Sequence, residues 1–490
     1  MSLLSPKLND QLRFVLFTDG LLLLMLAAAM LLPMLVDGVA GNPDWATFGM
    51  SAAATAFAGG GLMLACSGHK PAMSQRTGYL FTVSAWLAVA AAGATPLYFS
   101  SAGLSYTDSF FEAMSALTTT GSTVIVGLDS YPPGLLLWRS LMQWLGGIGI
   151  VVMAIVLLPM LRIGGQQLFQ SESSDISGKP VPRLLQMVER ISIVYLALTT
   201  ACTFGYMFAG MGLFDAVNHA MATLATGGFS TKDASIGYFN SVGVEVVGIV
   251  FMVAGALPLI WYTQIFRSGG GSLQQERQIP LFLGVLGGAI LLMVAWNVLA
   301  NHMNVWHALR ISAFNVTSVL TDTGFATADF SSWGSFPIGV FFMLYLIGGC
   351  TGSTAGSIKI FRWQILGSGL VRQLRRMVMP HQMFQTRYGR YPVEEGTVHG
   401  VHAFFFMYLL TLFVLTVLVM ATGLDFLTSI SAVAQAMANA GPGLGPLVGP
   451  STNFGNLPVA AKWLLDAAML LGRLEIATVY VLFLGSFWRT

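Results

Sequence analysis

The stretch Thr118-Thr119-Thr120-Gly121-Ser122-Thr123 decides how this chain reads. It follows a half-apolar segment, Asp108 to Leu117, that is too short to cross a bilayer, and it precedes an apolar run long enough to cross one. The arrangement recurs at Thr226-Gly227-Gly228-Phe229-Ser230, at Asp322-Thr323-Gly324-Phe325-Ala326 and at Asn439-Ala440-Gly441-Pro442-Gly443. A single Thr-Gly or Ala-Gly pair would carry little weight, because such pairs are common in membrane helices. Four of them, each behind a short amphipathic helix and ahead of a long apolar segment, read as one object.

That object is a ring of backbone carbonyls around a pore axis. A cation leaving water needs oxygens in place of its hydration shell, and carbonyls converging on one axis supply them. Glycine permits the backbone angles that turn successive carbonyls inward. Irregular backbone at membrane depth is tolerated only where it lines a wet cavity or is buried in protein. The residues expected to bind the cation are Thr119, Thr120 and Gly121, Thr226, Gly227 and Gly228, Asp322, Thr323 and Gly324, and Asn439, Ala440 and Gly441. They do not make a ring of aspartates or glutamates, which argues against a divalent-cation filter.

The bulk composition agrees. The chain has 490 residues, 55% of them hydrophobic and only 9% charged, against roughly 25% charged in a soluble domain. A net charge of +2 gives no reason to expect nucleic acid. Cys66, Cys202 and Cys350 lie in separate apolar stretches, so they read as buried small hydrophobes rather than a disulfide framework or a zinc site. The apolar run from Phe14 to Val36 is longer than the core of a signal peptide and lacks a clear cleavage site, so it reads as a retained first helix.

Ten segments are long enough to span: 14–36, 46–66, 78–99, 133–161, 185–210, 242–266, 279–301, 335–366 (interrupted), 398–422 and 456–487. Four shorter ones, 107–120, 213–226, 305–322 and 425–439, end in the four turns and read as re-entrant. Basic residues gather in the loops on one side of this map, at Lys70, Arg76, Arg162, Arg267, Arg277, Arg372, Arg375 and Arg376 among others, while the opposite loops and re-entrant segments hold only Lys232 and Arg310. Positive charge marks the cytoplasmic side, so both termini are expected inside and the four turns outside. Aligning Gly121 on Gly228 brings Asp108 onto Asp215, Met114 onto Met221 and Leu117 onto Leu224; Leu320 and Met437 take the place of Leu117 in the third and fourth copies. The fold class expected is an all-α polytopic membrane protein, with ten transmembrane helices plus four re-entrant pore helices. Two leading helices (1–70) precede pore units at 71–166, 167–272, 273–390 and 391–490, a covalent counterpart of a tetrameric ring.

Two further features bear on ion flow. Gly348-Gly349-Cys350-Thr351-Gly352-Ser353-Thr354-Ala355-Gly356-Ser357-Ile358-Lys359 interrupts the second helix of unit three with residues that break helices. It lacks the Gly-Lys-Ser/Thr ending and the preceding strand of a phosphate loop. It reads either as a kinked packing helix or as a flexible intramembrane loop below the ring, with Gly348 to Gly356 and Lys359 as gate residues. The last span carries Lys462, Asp466 and Arg473 within about 40° of one another on a helix, with Glu475 pointing away from Lys462. A mid-span arginine costs about 2.5–3.5 kcal/mol by insertion scales. Arg473 therefore either pairs with Asp466 or caps loop carbonyls, or stands in the permeation path and repels cations. Arg310 reads as structural, and the histidines show no common metal spacing. The polar stretches 162–183 and 367–395 read as linkers against lipid headgroups or as a docking face for a cytosolic partner.

On Thr118 to Thr123, Ala225 to Thr231, Thr321 to Ala328, Asn439 to Gly445 and Gly348 to Lys359, the chain resembles the TrkH/TrkG branch of the Trk/Ktr/HKT superfamily of potassium transporters over essentially its whole length. The resemblance implies one filter glycine per unit, met here by Gly121, Gly228, Gly324 and Gly441. Serine at the first of these accompanies sodium preference in some plant relatives, so Gly121 points to potassium. The fourth turn departs most, with Asn439 and Pro442, so the ring is expected to be asymmetric. The resemblance also implies K+ (and Rb+) as permeating ion with no tightly bound cofactor, a bacterial inner-membrane homodimer, and a TrkA-type cytosolic subunit that senses nucleotides. Two rivals are a proton- or sodium-coupled symporter, for which Asp322 is the one obvious acid on the path, and a membrane-embedded enzyme, for which the spans offer too few polar residues.

Overall fold

The computed structural model describes residues 6–68, 74–156, 180–268, 277–382, 384–388 and 391–488. The expected polar stretch at 162–183 lies outside them but for its last residues. Helix α1 (Pro6–Ala40) and α2 (Asp44–Cys66) form a leading hairpin. Four copies of one order follow: a long helix, a short helix, a turn and a second long or broken helix. The first is α3 (Gln75–Phe99), α4 (Tyr106–Leu117) and α5 (Pro133–Val156). The second is α6 (Pro180–Phe208), α7 (Leu213–Leu224) and the pair α8 (Val242–Ala256) and α9 (Leu259–Ser268). The third is α10 (Gln278–Leu299), α11 (Val305–Leu320), α12 (Ser335–Tyr345) and α13 (Ile360–Val378). The fourth is α14 (Glu395–Met420), α15 (Phe426–Ala438), α16 (Val459–Arg473), α17 (Ile476–Tyr480) and α18 (Gly485–Trp488).

Seven described helices are long and apolar enough to cross a membrane, and α8 with α9 makes an eighth candidate bent by 93°. The bend falls at Leu257-Pro258, where proline removes a backbone donor. The break between α12 and α13 falls at the expected loop. The last span, expected continuous over 456–487, instead stops at Arg473, and Glu475 turns the chain with a φ of +62°. One departure from the all-helical expectation is a short antiparallel ladder of β1 (Arg387–Tyr388) with β2 (Tyr391–Pro392).

The short helices occupy the centre. Side chains of Ser105, Asn304 and Asp425 cap the first turns of α4, α11 and α15 by accepting backbone N–H bonds. Their polar residues are buried: Glu112, His219, Asn315 and Gln435 have no exposed surface. The outer helices present Phe57, Leu64, Phe208 and Phe406 outward instead. A soluble protein distributes polarity the other way. An apolar exterior around a polar centre suits a chain solvated by lipid, where polar residues turn to the bundle interior.

Candidate ion pathway

The four turns share one local geometry. The residue two before each glycine, Thr119, Thr226, Asp322 or Asn439, has a φ between +50° and +60°. The glycine itself, Gly121, Gly228, Gly324 or Gly441, has a φ between +73° and +93°. Each short helix ends on the same two bonds. The left-handed residue donates three residues back, as Thr119 does to the Ala116 carbonyl, and the next donates five back: Thr120 to Ser115, Gly227 to Ala222, Thr323 to Ser318 and Ala440 to Gln435. Repeated left-handed backbone at non-glycine residues costs roughly 1–2 kcal/mol each, so the surrounding structure must hold it.

The holders occupy equivalent places. Nine residues before the first glycine, the Glu112 carboxylate accepts from Thr123 Oγ1 at 2.9 Å and from the Val124 amide at 2.9 Å. His219, nine before Gly228, lies 2.9 Å from Ser230 Oγ through Nε2. Asn315, nine before Gly324, donates to Thr327 Oγ1 at 2.9 Å and accepts from its amide at 3.1 Å. In the fourth copy Ser431, ten before Gly441, makes both bonds to Leu444.

The turns touch in cyclic order. A Cβ placed on Gly121 would fall 2.1 Å from the Gly227 carbonyl oxygen, one on Gly228 1.9 Å from that of Thr323, and one on Gly324 2.7 Å from that of Ala440. The circle closes from the fourth turn to the first: Ser122 Oγ donates to the Gly441 carbonyl at 2.9 Å, and Asn439 Nδ2 to Thr120 Oγ1 at 2.9 Å. The helix after each turn also braces the following copy. From α5, Gln143 donates to the Gly227 carbonyl and accepts from Phe229, while Arg139 pairs with Glu112 at 2.7 Å, donates to the Ser230 carbonyl and lies over the Phe229 ring. From α8, Glu245 takes two bonds from Arg310 of α11, at 2.7 and 2.8 Å. From α12, Tyr345 donates to the Pro442 carbonyl, and from α16, Lys462 pairs with Asp108 of α4 at 2.5 Å.

The segment 346–359 is non-helical and lies against the C-terminal ends of α7 and α15. Most of its bonds go to other parts of the chain. The Cys350 amide donates to the Ala256 carbonyl, Thr354 Oγ1 to those of Leu224 and Gly255, and the Ser357 amide to that of Ala438. A Cβ on Gly356 would fall 2.2 Å from the Ala438 oxygen, so the loop approaches the fourth turn as closely as backbone can. Arg473, 4% exposed, donates to the Thr354 carbonyl at 2.9 Å. It therefore caps a loop carbonyl, and Asp466 has no partner among the described residues. Lys359 donates to the carbonyl of Ala355 in its own loop. Glu475 pairs with Arg362 at 2.5 Å. A cavity of about 50 Å³ separates Lys359 and Arg473 from Ile150 and Met153 of α5.

Of the expected ring residues, Thr120, Gly121, Gly227, Gly228, Thr323, Gly324, Asn439, Ala440 and Gly441 meet across neighbouring turns, and the loop meets Arg473. Of the charges on the last span, Lys462 stands apart, paired with Asp108. Arg139, Gln143 and the residues nine before each of the first three glycines are missed by a search for pore-lining groups; aligning the glycines would have exposed Glu112, His219 and Asn315 in register.

The sequence model of the TrkH family, described as a cation transport protein, matches residues 47–490. The Trk system potassium uptake protein TrkI of Halomonas elongata is 41% identical over 471 residues, covering 96% of both chains. The TrkH protein of Vibrio parahaemolyticus is 38% identical, covering 98% of this chain and 100% of its own. The crystal structure of the potassium transporter TrkH from Vibrio parahaemolyticus superposes with a TM-score of 0.90 at 34% identity, over 98% of this chain and 100% of that one. The chain is a multi-pass membrane protein that belongs to the TrkH family of cation transport proteins.

Proposed function

We propose that the chain takes up potassium through a pore whose selectivity filter is the ring of four turns. The observation that carries this is the repeated pair of left-handed residues, two before and at each glycine, in turns that touch in cyclic order. Backbone alternating in this way can aim successive carbonyls at one centre. The relatives named as Trk potassium uptake proteins support the choice of ion. In this reading the chain makes ten spans, with α12–α13 and α16–α18 as broken ones, and the four short helices are pore helices in pseudo-fourfold order.

The loop 348–359 is the gate, and Arg473 is its pin. Arg473 places a positive charge beneath the filter and ties the last span to Thr354, so a cation passes only when both shift. Inward flow is driven by the membrane potential, worth about 2.3 kcal/mol per charge per 100 mV. The chain acts in a bacterial inner membrane with both termini cytoplasmic, as a homodimer bound to a TrkA-type regulatory subunit. The arginines of α13 and the ladder after it are the docking face.

The test is cation flux into proteoliposomes under potassium, rubidium, sodium and lithium gradients. Potassium and rubidium are expected to lead, with currents that reverse at the potassium potential and ignore pH. Reversal that follows the proton or sodium gradient would replace the channel by a symporter, and absence of potassium flux would end the reading.

A further inference from the structure

The charges around the gate loop do not balance. Lys359 and Arg473 act on each other, and the other charges that reach Lys359 are those of Asp322, Glu475 and Arg362. Asp322 reaches Arg473 as well. Arg362 and Glu475 pair at 2.5 Å, which cancels both. Asp322 is in none of the described ion pairs and answers two cations at once. Among the described residues one positive charge is therefore left over. A charge taken out of water without a counter-charge is strongly unfavourable.

The unmet donors gather at one cavity. Arg473 is 4% exposed; its Nη1 donates to the Thr354 carbonyl, while Nε and Nη2 have no hydrogen-bond partner among the described residues. Thr351 Oγ1 has none either. Lys359 gives one bond, to the Ala355 carbonyl, and an ammonium has further protons to give. Arg473, Lys359 and Thr351 all line the cavity of about 50 Å³ between the loop and α5. A water molecule needs roughly 10–15 Å³ of such space, so a larger body fits. Buried donors are nearly always paired, and these need acceptors. Water donates as readily as it accepts and brings no charge. A body that only accepts, and carries one negative charge, answers both the donors and the imbalance. Glu475 also lines the cavity, but Arg362 engages its carboxylate.

We propose that this cavity binds a small monovalent anion of halide size, held by Arg473, Lys359 and Thr351, and that the bound anion latches the loop to the last span. This rests on the reading of 348–359 as the gate and names a ligand that regulates it. Lys359 and Thr351 belong to the loop and Arg473 to α16, so the anion bridges the two parts that must separate for a cation to pass. Arg473 then has two ties to the loop, one through the Thr354 carbonyl and one through the anion. Repulsion between Lys359 and Arg473 is relieved while the anion is bound and returns when it leaves, so its loss favours opening. Chloride and bromide fit the size; gluconate, a far larger carboxylate, does not.

The test is potassium flux into proteoliposomes with chloride, bromide or gluconate on both faces at equal ionic strength. Replacing gluconate by either halide is expected to slow the parent protein, by about three-fold once the halide stands at about twice its dissociation constant, because a ligand of the closed state alone multiplies that state's weight by one plus this ratio. Arg473→Ala should lose most of the anion dependence. Thr351→Val should need more halide for half the effect, and it carries the test if the arginine variant is not recovered folded. A second readout needs no conduction: chloride should raise the thermal unfolding midpoint of the solubilised parent above its value in gluconate, and raise that of either variant less. Equal parent flux in chloride and gluconate overturns the anion site, and so does a halide effect that is unchanged in folded Arg473→Ala and Thr351→Val. The gate reading fails separately, when Arg473→Ala is no faster than the parent in gluconate.

Discussion

The ring of turns and the loop beneath it are both non-helical backbone inside a helical protein, and they are held in opposite ways. Each turn is fixed by its own short helix. That helix supplies the two closing bonds, and a side chain nine or ten residues before the glycine holds the outgoing strand. The loop makes few bonds to itself. It borrows carbonyls from α7, α8 and α15 and lends its Thr354 carbonyl to Arg473. A segment fixed by local bonds keeps its shape when its neighbours move. One fixed by borrowed bonds changes with them, and low-stability elements of this kind are where switching is drawn from.

The contrast can be broken at several points. The largest effect is expected at Arg139 and Glu112, 1% and 0% exposed. Removing one partner of a buried pair typically costs about 3–5 kcal/mol, so Arg139→Met should lower the thermal unfolding midpoint sharply, while Arg139→Met with Glu112→Leu recovers much of the loss. Equal midpoints for single and double variants would mean that the pair does not hold the first two turns. Next comes Arg473→Ala, which should raise cation flux several-fold, worth about 1 kcal/mol by the usual conversion, without altering the order of ions. A purified variant no faster than the parent would leave Arg473 a structural cap.

Thr354→Val should act in the same direction and more weakly. It removes the one hydroxyl proton shared between the Leu224 and Gly255 carbonyls, worth about 1 kcal/mol net, and spares the backbone carbonyl that Arg473 uses. Changed ion order in this variant would show that the loop shapes the filter. The smallest change is expected at Arg310→Lys. The Arg310–Glu245 pair is bidentate but 30% exposed on the arginine side, so the loss in thermal stability should stay below about 1 kcal/mol.

The ring was legible in the sequence because its parts are local. Gly121, Gly228, Gly324 and Gly441 close short helices whose caps and amphipathic pattern sit within some fifteen residues of them. The loop was legible for the same reason: Gly348 to Gly356 cannot sustain a helix. What escaped depends on neighbours in space. Arg139 looks like a stray charge near the start of a span until Glu112, Thr123 and Ser230 are seen around it. The stop at Arg473 was hidden because Leu474 and Ile476 continue the apolar run on either side of Glu475. Nothing local reveals that Arg362, far away in the chain, waits for that carboxylate. For Arg473 the sequence left two roles open, and the bond to Thr354, distant in the chain, supplies the capping contact.

The measurement that bears most directly on the four-turn filter is the potassium-to-sodium flux ratio of Gly121→Ser beside the parent protein, in proteoliposomes. The added Cβ meets the Gly227 carbonyl oxygen at 2.1 Å and sits at a φ of +84° that side chains resist. A filter built from these turns predicts that the parent passes potassium well ahead of sodium and that the folded variant loses most of that preference. A folded Gly121→Ser protein with the parent's ratio would contradict it.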